Sequence, residues 1–157
     1  METNGNRKKK LGELLCEKAY LDAARLEFAL AEQKVEHRRL GEILVDLGYV
    51  TQAQLNEALA LQAGIEKVDL GSISVGGDII NLVPADLVSR YNVLPLRREN
   101  GRLTVAMTDP FQPQTLEDLR LVTGCSVRRC YADPKDMENA IMKFYGSKVA
   151  RMLDDLV

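Results

Sequence analysis

Residues 39–62, RLGEILVDLGYVTQAQLNEALALQ, restate residues 10–33, KLGELLCEKAYLDAARLEFALAEQ, at an offset of 29 positions. Eleven of the 24 aligned positions are identical: Leu11/Leu40, Gly12/Gly41, Glu13/Glu42, Leu15/Leu44, Tyr20/Tyr49, Ala24/Ala53, Leu26/Leu55, Ala29/Ala58, Leu30/Leu59, Ala31/Ala60 and Gln33/Gln62. Composition alone can make two helices share Leu and Ala, but it does not make them share Gly, Tyr and a terminal Gln. The segment is therefore a tandem repeat with a five-residue spacer, 34–38.

Within the second copy, Leu40, Ile43, Leu44 and Leu47 fall at i, i+3, i+4 and i+7 and form one apolar helical face. Gly48 follows, the residue best suited to a left-handed helix end. Thr51 and Gln54 have the spacing of a capping box that opens a second helix, on which Leu55, Ala58, Leu59 and Gln62 repeat the apolar spacing. Each copy reads as a helix hairpin, and two hairpins give a four-helix unit with approximate internal two-fold symmetry. Core packing accounts for the leucines. It does not account for a basic residue before Leu-Gly at the start of each copy, or for the Gln at its end. The Leu-Gly-Glu step offers close backbone access, because glycine has no side chain to hold a ligand away. Arg7-Lys8-Lys9-Lys10 and His37-Arg38-Arg39 put positive charge where a helix start already favours an anion. Residues 1–9 read as a basic arm, either solvated or closing over an anionic ligand or an acidic membrane surface. His37 reads as a solvated linker residue, not as a metal ligand or general base.

The texture changes after Gln62. Gly64, Gly71, Gly76 and Gly77 break up the chain, which places a domain boundary near 62–67. In 78–91 a short helical approach leads to a helix opened by Pro84. Val93–Arg97 and Arg102–Met107 flank Asn100-Gly101 and predict an antiparallel hairpin. A helix over 115–122 stopping near Gly124, a strand over 127–131, and a last helix opened by Asp133-Pro134 and ending at Gly146 complete the pattern. Residues 147–157 read as a further helix or a linker. The expected fold is α+β: a tandem helix-hairpin unit over 10–62, then a small α/β domain over 63–146 with an antiparallel hairpin and packed helices.

A net charge of −2 is unlike that of a DNA-binding protein. No secretory signal and no apolar run near the ~20 residues of a membrane span is visible. Cys16, Cys125 and Cys130 show no zinc spacing, so reduced structural thiols and no metal are expected. The sequence lacks G-x-x-x-x-G-K-S/T, G-x-S-x-G, H-E-x-x-H and C-x-x-C, and has a single His, which argues against an enzyme.

The paired R/K-L-G…L…G…L…L…Q hairpins resemble the MshEN-type cyclic-di-GMP-binding domain at the N-terminus of type II secretion and type IV pilus assembly ATPases. Residues 82–84 (LVP), 90–91 (RY), 94–96 (LPL), 103–110 (LTVAMTDP), 123–124 (TG) and 144–146 (FYG) are similar to the small module that follows it there. The resemblance spans roughly residues 10–146 and lacks the ATPase core. It implies polar contacts to cyclic-di-GMP from Lys10, Gln33, Arg39 and Gln62. It also implies apolar and backbone contacts from Leu11, Gly12, Leu15, Leu40, Gly41 and Leu44, with Asp109 reaching back to the ligand to couple the halves. A two-fold ligand suits a duplicated hairpin, which presents each contact twice. The implied role is regulatory, with an ATPase motor domain and an inner-membrane platform protein as partners. The implied location is cytoplasmic, with recruitment to the inner face of the membrane as an option. The alternative is a ligand-free docking module joining the ATPase to its platform. Lys10 stands where Arg is usual and Ala19 where Gly ends the first helix, so unequal half-sites are expected.

Overall fold

The computed structural model describes residues 9–155, so residues 1–8 of the expected basic arm lie outside it. Helices α1 (Leu11–Glu17), α2 (Ala23–Glu36), α3 (Leu40–Asp46) and α4 (Gln52–Gln62) come first. A 3-10 turn at Leu70–Ser72 precedes α5 (Gly77–Ile80) and α6 (Ala85–Tyr91). Strands β1 (Val93–Glu99) and β2 (Arg102–Met107) follow, then α7 (Pro113–Thr123), β3 (Ser126–Tyr131) and α8 (Pro134–Asp155). The chain divides into two units between Gly64 and Ile65.

The repeat governs the first unit residue by residue. α1 and α3 start and stop at equivalent positions, and α2 and α4 start at equivalent positions. Asp22 and Thr51 occupy the same cap: Asp22 Oδ1 accepts the Arg25 N–H (2.8 Å) and Thr51 Oγ1 the Gln54 N–H (3.1 Å). Gln54 returns the bond by accepting the Thr51 N–H at 3.0 Å, closing the expected capping box. The first helix of each copy ends on a left-handed residue, Ala19 (φ 61°) and Gly48 (φ 75°). The closing bonds match as well, Tyr20 N–H to the Leu15 carbonyl and Tyr49 N–H to the Leu44 carbonyl, each 3.0 Å.

The core of this unit is built from equivalent pairs: Leu14 with Ile43, Leu15 with Leu44, Leu21 with Val50, and Ala29 with Ala58. Leu47, expected on the apolar face, is instead 39% exposed, because α3 ends before it. The main helix pairing runs between copies, α1 on α4 and α2 on α3. Gly12 and Gly41 serve packing inside each copy. A Cβ on Gly12 would lie 2.8 Å from Leu26 Cδ1, and one on Gly41 2.9 Å from Leu55 Cδ1.

In the second unit the sheet order is β1-β2-β3. β1 and β2 are antiparallel about a two-residue turn in which both Asn100 (φ 52°) and Gly101 (φ 75°) are left-handed, as a type I′ turn requires. A bulge between Pro95 and Arg97 shifts the register, next to the proline that cannot donate to a ladder. β3 runs parallel to β2, with α7 as the crossover. Leu94, Leu103, Val105, Ala106 and Met107 meet Leu119 of α7 and Met137, Ala140 and Tyr145 of α8 in one core.

The last helix does not stop at Gly146 but continues to Asp155. A lone helical glycine costs only about 1 kcal/mol against alanine, and bonds on both sides of it fix the helix. The buried Tyr145 hydroxyl donates to the Ile80 carbonyl (2.7 Å), and Lys148 Nζ to Asn81 Oδ1 (2.6 Å). Among the described residues no helix is long and apolar enough to cross a membrane.

Candidate ligand site in the tandem unit

Lys10 and Arg39 are the residues immediately before α1 and α3, both in extended backbone and both exposed or nearly so. Their side chains make no hydrogen bond or ion pair among the described residues. Their neighbours behave differently. Lys9 Nζ lies 2.5 Å from Glu17 Oε1, and Arg38 is paired with Asp46 and, at 3.1 Å, with Glu36. Position 9 corresponds to 38 and position 17 to 46, so the same ion pair recurs in both copies. The Asp46 carboxylate, followed by that of Glu36, raises the Arg38 pKa above its ordinary value. Among the described residues, each copy thus ties down one cation and leaves the side chain of the next without a protein partner.

A cavity of 430 Å³ opens beside the first of these cations, lined by Lys10, Leu11, Gly12, Glu13, Leu26, Leu30 and Leu40. It mixes one cation and one carboxylate with leucines, a composition suited to a flat heterocycle bearing charged groups. Leu40 comes from the second copy, so the two helix starts share this hollow. Lys10, Leu11, Gly12 and Leu40 were expected from the sequence. Glu13, Leu26 and Leu30 were not: they appear in the repeat alignment, yet nothing in helical spacing separates a core leucine from one at a pocket wall.

The other expected residues fall in different places. Leu15 and Leu44 have no exposed surface, so they lie in the core beneath the helix starts and cannot contact a ligand in this conformation. Gly12 and Gly41 are buried, and the space beside each α-carbon is taken by a leucine of the same copy, so internal packing explains the glycines where ligand access was expected to. Gln33 Nε2 donates to the Arg38 carbonyl (3.0 Å), and Gln62 Nε2 to the Lys9 carbonyl (3.1 Å). Asp109 lies in the second unit, where Oδ1 accepts the Phe111 N–H (3.1 Å) and Oδ2 accepts from Gln112 Nε2 (3.0 Å). His37 is the left-handed cap of α2 (φ 59°), a backbone role its linker position did not suggest. Cys16, Cys125 and Cys130 are free thiols, and burial pushes the Cys130 thiol up. Among the described residues no group of three or more His, Cys, Asp or Glu could hold a metal.

Comparison with known proteins bears on this arrangement. Over 148 residues, 94% of the chain, it is 32% identical to the type IV pilus assembly ATPase PilB of Myxococcus xanthus. Over 99 residues, 62% of the chain, it is 28% identical to PilB of Pseudomonas aeruginosa. These matches span only 26% and 18% of the two relatives' lengths. Among solved structures, that of MshE with cdg matches at a TM-score of 0.63 and 32% identity, covering 87% of this chain and 99% of that one. The N-terminal domain of XpsE matches at 0.57 and 20% identity over 83% of this chain and 90% of that one, a likeness of fold alone. The sequence pattern of the MshEN domain matches residues 47–151, from the end of α3 through most of α8. With more than half of its length inside that match, the chain belongs to the MshEN domain family.

Proposed function

We propose that the tandem unit binds cyclic-di-GMP and passes its bound state to the motor of a type IV pilus or type II secretion assembly ATPase. The observation that carries this reading is a pair of cations at equivalent helix starts, Lys10 and Arg39, whose side chains have no partner among the described residues, with a leucine-lined cavity beside Lys10 that Leu40 of the second copy also lines. The likeness to the structure of MshE with cdg supports the choice of ligand. The ligand has two guanines and two phosphates, and the unit offers two equivalent starts. Arg39 can give two parallel charge-assisted bonds to a phosphate or to the O6/N7 edge of guanine. Lys10 is a point charge without that fork, so the two half-sites are unequal. Signalling is then a matter of the ATPase motor domain, and beyond it of a membrane platform protein on the cytoplasmic side.

The test is one calorimetric series at fixed salt. Hydrogen bonds to charged groups contribute about 1.5–3 kcal/mol. Arg39→Ala should therefore weaken binding roughly ten- to a hundredfold. Lys10→Ala should cost about a few-fold, and Lys10→Arg should tighten binding. Unchanged affinity in Arg39→Ala would remove the site assignment. A wild-type chain that does not bind cyclic-di-GMP would leave the docking-module reading in its place.

A further inference from the structure

We infer that Gln33 and Gln62 are positioning residues that act across the repeat: Gln62 of the second copy sets the place of Lys10 in the first, and Gln33 of the first sets that of Arg39 in the second. The inference rests on the proposed binding role of Lys10 and Arg39 and adds what holds them there.

Each glutamine donates its amide to the backbone carbonyl just ahead of the other copy's first helix. Gln62 Nε2 donates to the Lys9 carbonyl and Gln33 Nε2 to the Arg38 carbonyl. Lys9 and Arg38 are equivalent positions, and each directly precedes one of the two proposed binding cations. The two bonds are alike in chemistry and length, 3.1 and 3.0 Å, yet one closes 53 residues and the other five. No local turn makes both, so the pairing of α1 with α4 and α2 with α3 must.

The carbonyl that each glutamine holds belongs to the peptide group leading into Lys10 or Arg39. It lies outside the helix ladder and has no partner there. In the first copy the other end of that peptide is held as well, because Glu13 Oε1 accepts the Lys10 N–H at 3.1 Å. On the outer side, the Lys9–Glu17 and Arg38–Asp46 pairs draw the preceding side chain away along its own helix. Among the described residues, Lys10 or Arg39 is left with no protein partner for its side chain. Fixing its backbone reduces the ordering needed when a ligand arrives.

Two measurements on the whole chain test this. The first is a double-mutant cycle in cyclic-di-GMP affinity. Gln62→Ala alone should weaken binding by about two- to threefold, within the scale of one neutral hydrogen bond and no more than Lys10→Ala costs. Combined with Lys10→Ala it should add little, and combined with Arg39→Ala it should add in full. Gln33→Ala should show the mirror pattern. Coupling of Gln62 with Arg39 and additivity with Lys10 would mean that each glutamine serves its own copy, which overturns the inference.

The second measurement needs no ligand. In hydrogen–deuterium exchange, Gln62→Ala should speed exchange over residues 10–17 and leave 39–46 at the wild-type rate, with Gln33→Ala doing the reverse. Acceleration in both segments at once, or in neither, overturns the crossed arrangement. A wild type that does not bind cyclic-di-GMP refutes the proposed function and the binding half of this inference, and the exchange pattern then decides whether the glutamines cross.

Discussion

Ala19 and Gly48 hold the same place in the two copies, and exchanging their identities should move stability in opposite directions. Both close a helix with the same bond, Tyr20 N–H to the Leu15 carbonyl and Tyr49 N–H to the Leu44 carbonyl, so neither can leave the left-handed region without losing it. An L-residue other than glycine is about 1–2 kcal/mol less stable there. Glycine returns about 0.4–1 kcal/mol of that through its freer unfolded chain. Ala19→Gly should then stabilise by about 0.5–1 kcal/mol, since the Ala19 methyl is exposed and little packing is lost with it. Gly48→Ala should destabilise by a similar amount, because a Cβ there meets nothing within 4 Å and gains no contact. The double variant moves the strain from one copy to the other and should match wild type within about 0.5 kcal/mol. Urea denaturation followed by far-ultraviolet circular dichroism gives all four values, read on the first unit's transition if the two units melt separately. A neutral Gly48→Ala, or a destabilising Ala19→Gly, would refute the reasoning.

Three further outcomes are expected. Gly41→Ala should cost about 1–3 kcal/mol, because its Cβ would press a buried Leu55, whereas Gly12→Ala should cost less, since the half-buried Leu26 has room to turn; equal losses in urea melts would contradict this. Tyr145→Phe should cost about 1–3 kcal/mol by leaving the buried Ile80 carbonyl without its donor. Burial raises the Tyr145 pKa, so the stability this group supplies is complete below the unfolded value near pH ~10 and lost as pH rises through the folded one. Tyr145→Phe should accordingly lessen the alkaline loss of stability, and an unaltered alkaline limb would count against it. Asp109→Ala removes both bonds of its turn and should lower the second unit's stability by about 1 kcal/mol. Its ligand role stands on the same variant's cyclic-di-GMP titration, where unchanged affinity and heat capacity would leave Asp109 a turn residue only.

Much of the fold was legible because its signals are local. Thr51-x-x-Gln54 and Asn100-Gly101 carry their own geometry, and each forms the cap or turn its chemistry predicts. The left-handed strain at Ala19 could be read by laying it on Gly48. The run of α8 through Gly146 could not, because the Tyr145–Ile80 bond that fixes the helix spans 65 residues. At the candidate site, Lys10 and Arg39 were visible as a repeated basic residue. The leucines were only half legible: Leu15 and Leu30 look alike in sequence, but one has no exposed surface and the other is a pocket wall with 39% exposed. The bonds of the glutamines were not legible, because their backbone partners, Lys9 and Arg38, stand just ahead of the other copy, beyond the reach of any reading confined to one motif.

That the helix pairing runs between the copies makes the tandem unit, in effect, a homodimer fused by its five-residue spacer. In a two-fold dimer of identical chains, every substitution appears on both sides of the interface. Fusion removes that constraint, and here the equivalent sites have drifted apart. On one side Glu57, 8% exposed, accepts from the Tyr20 hydroxyl and from Lys18 Nζ, each at 2.8 Å. At the equivalent positions on the other side stand Phe28, Tyr49 and Leu47, with Phe28 edge-on to Tyr49 and the Arg25 guanidinium 5.2 Å from the Tyr49 ring centroid. A short spacer, three of its five residues continuing α2, also keeps the second copy beside the first, whatever the cellular level of the protein. Each hairpin is thereby always supplied with its other half, and the two halves are free to acquire different surfaces.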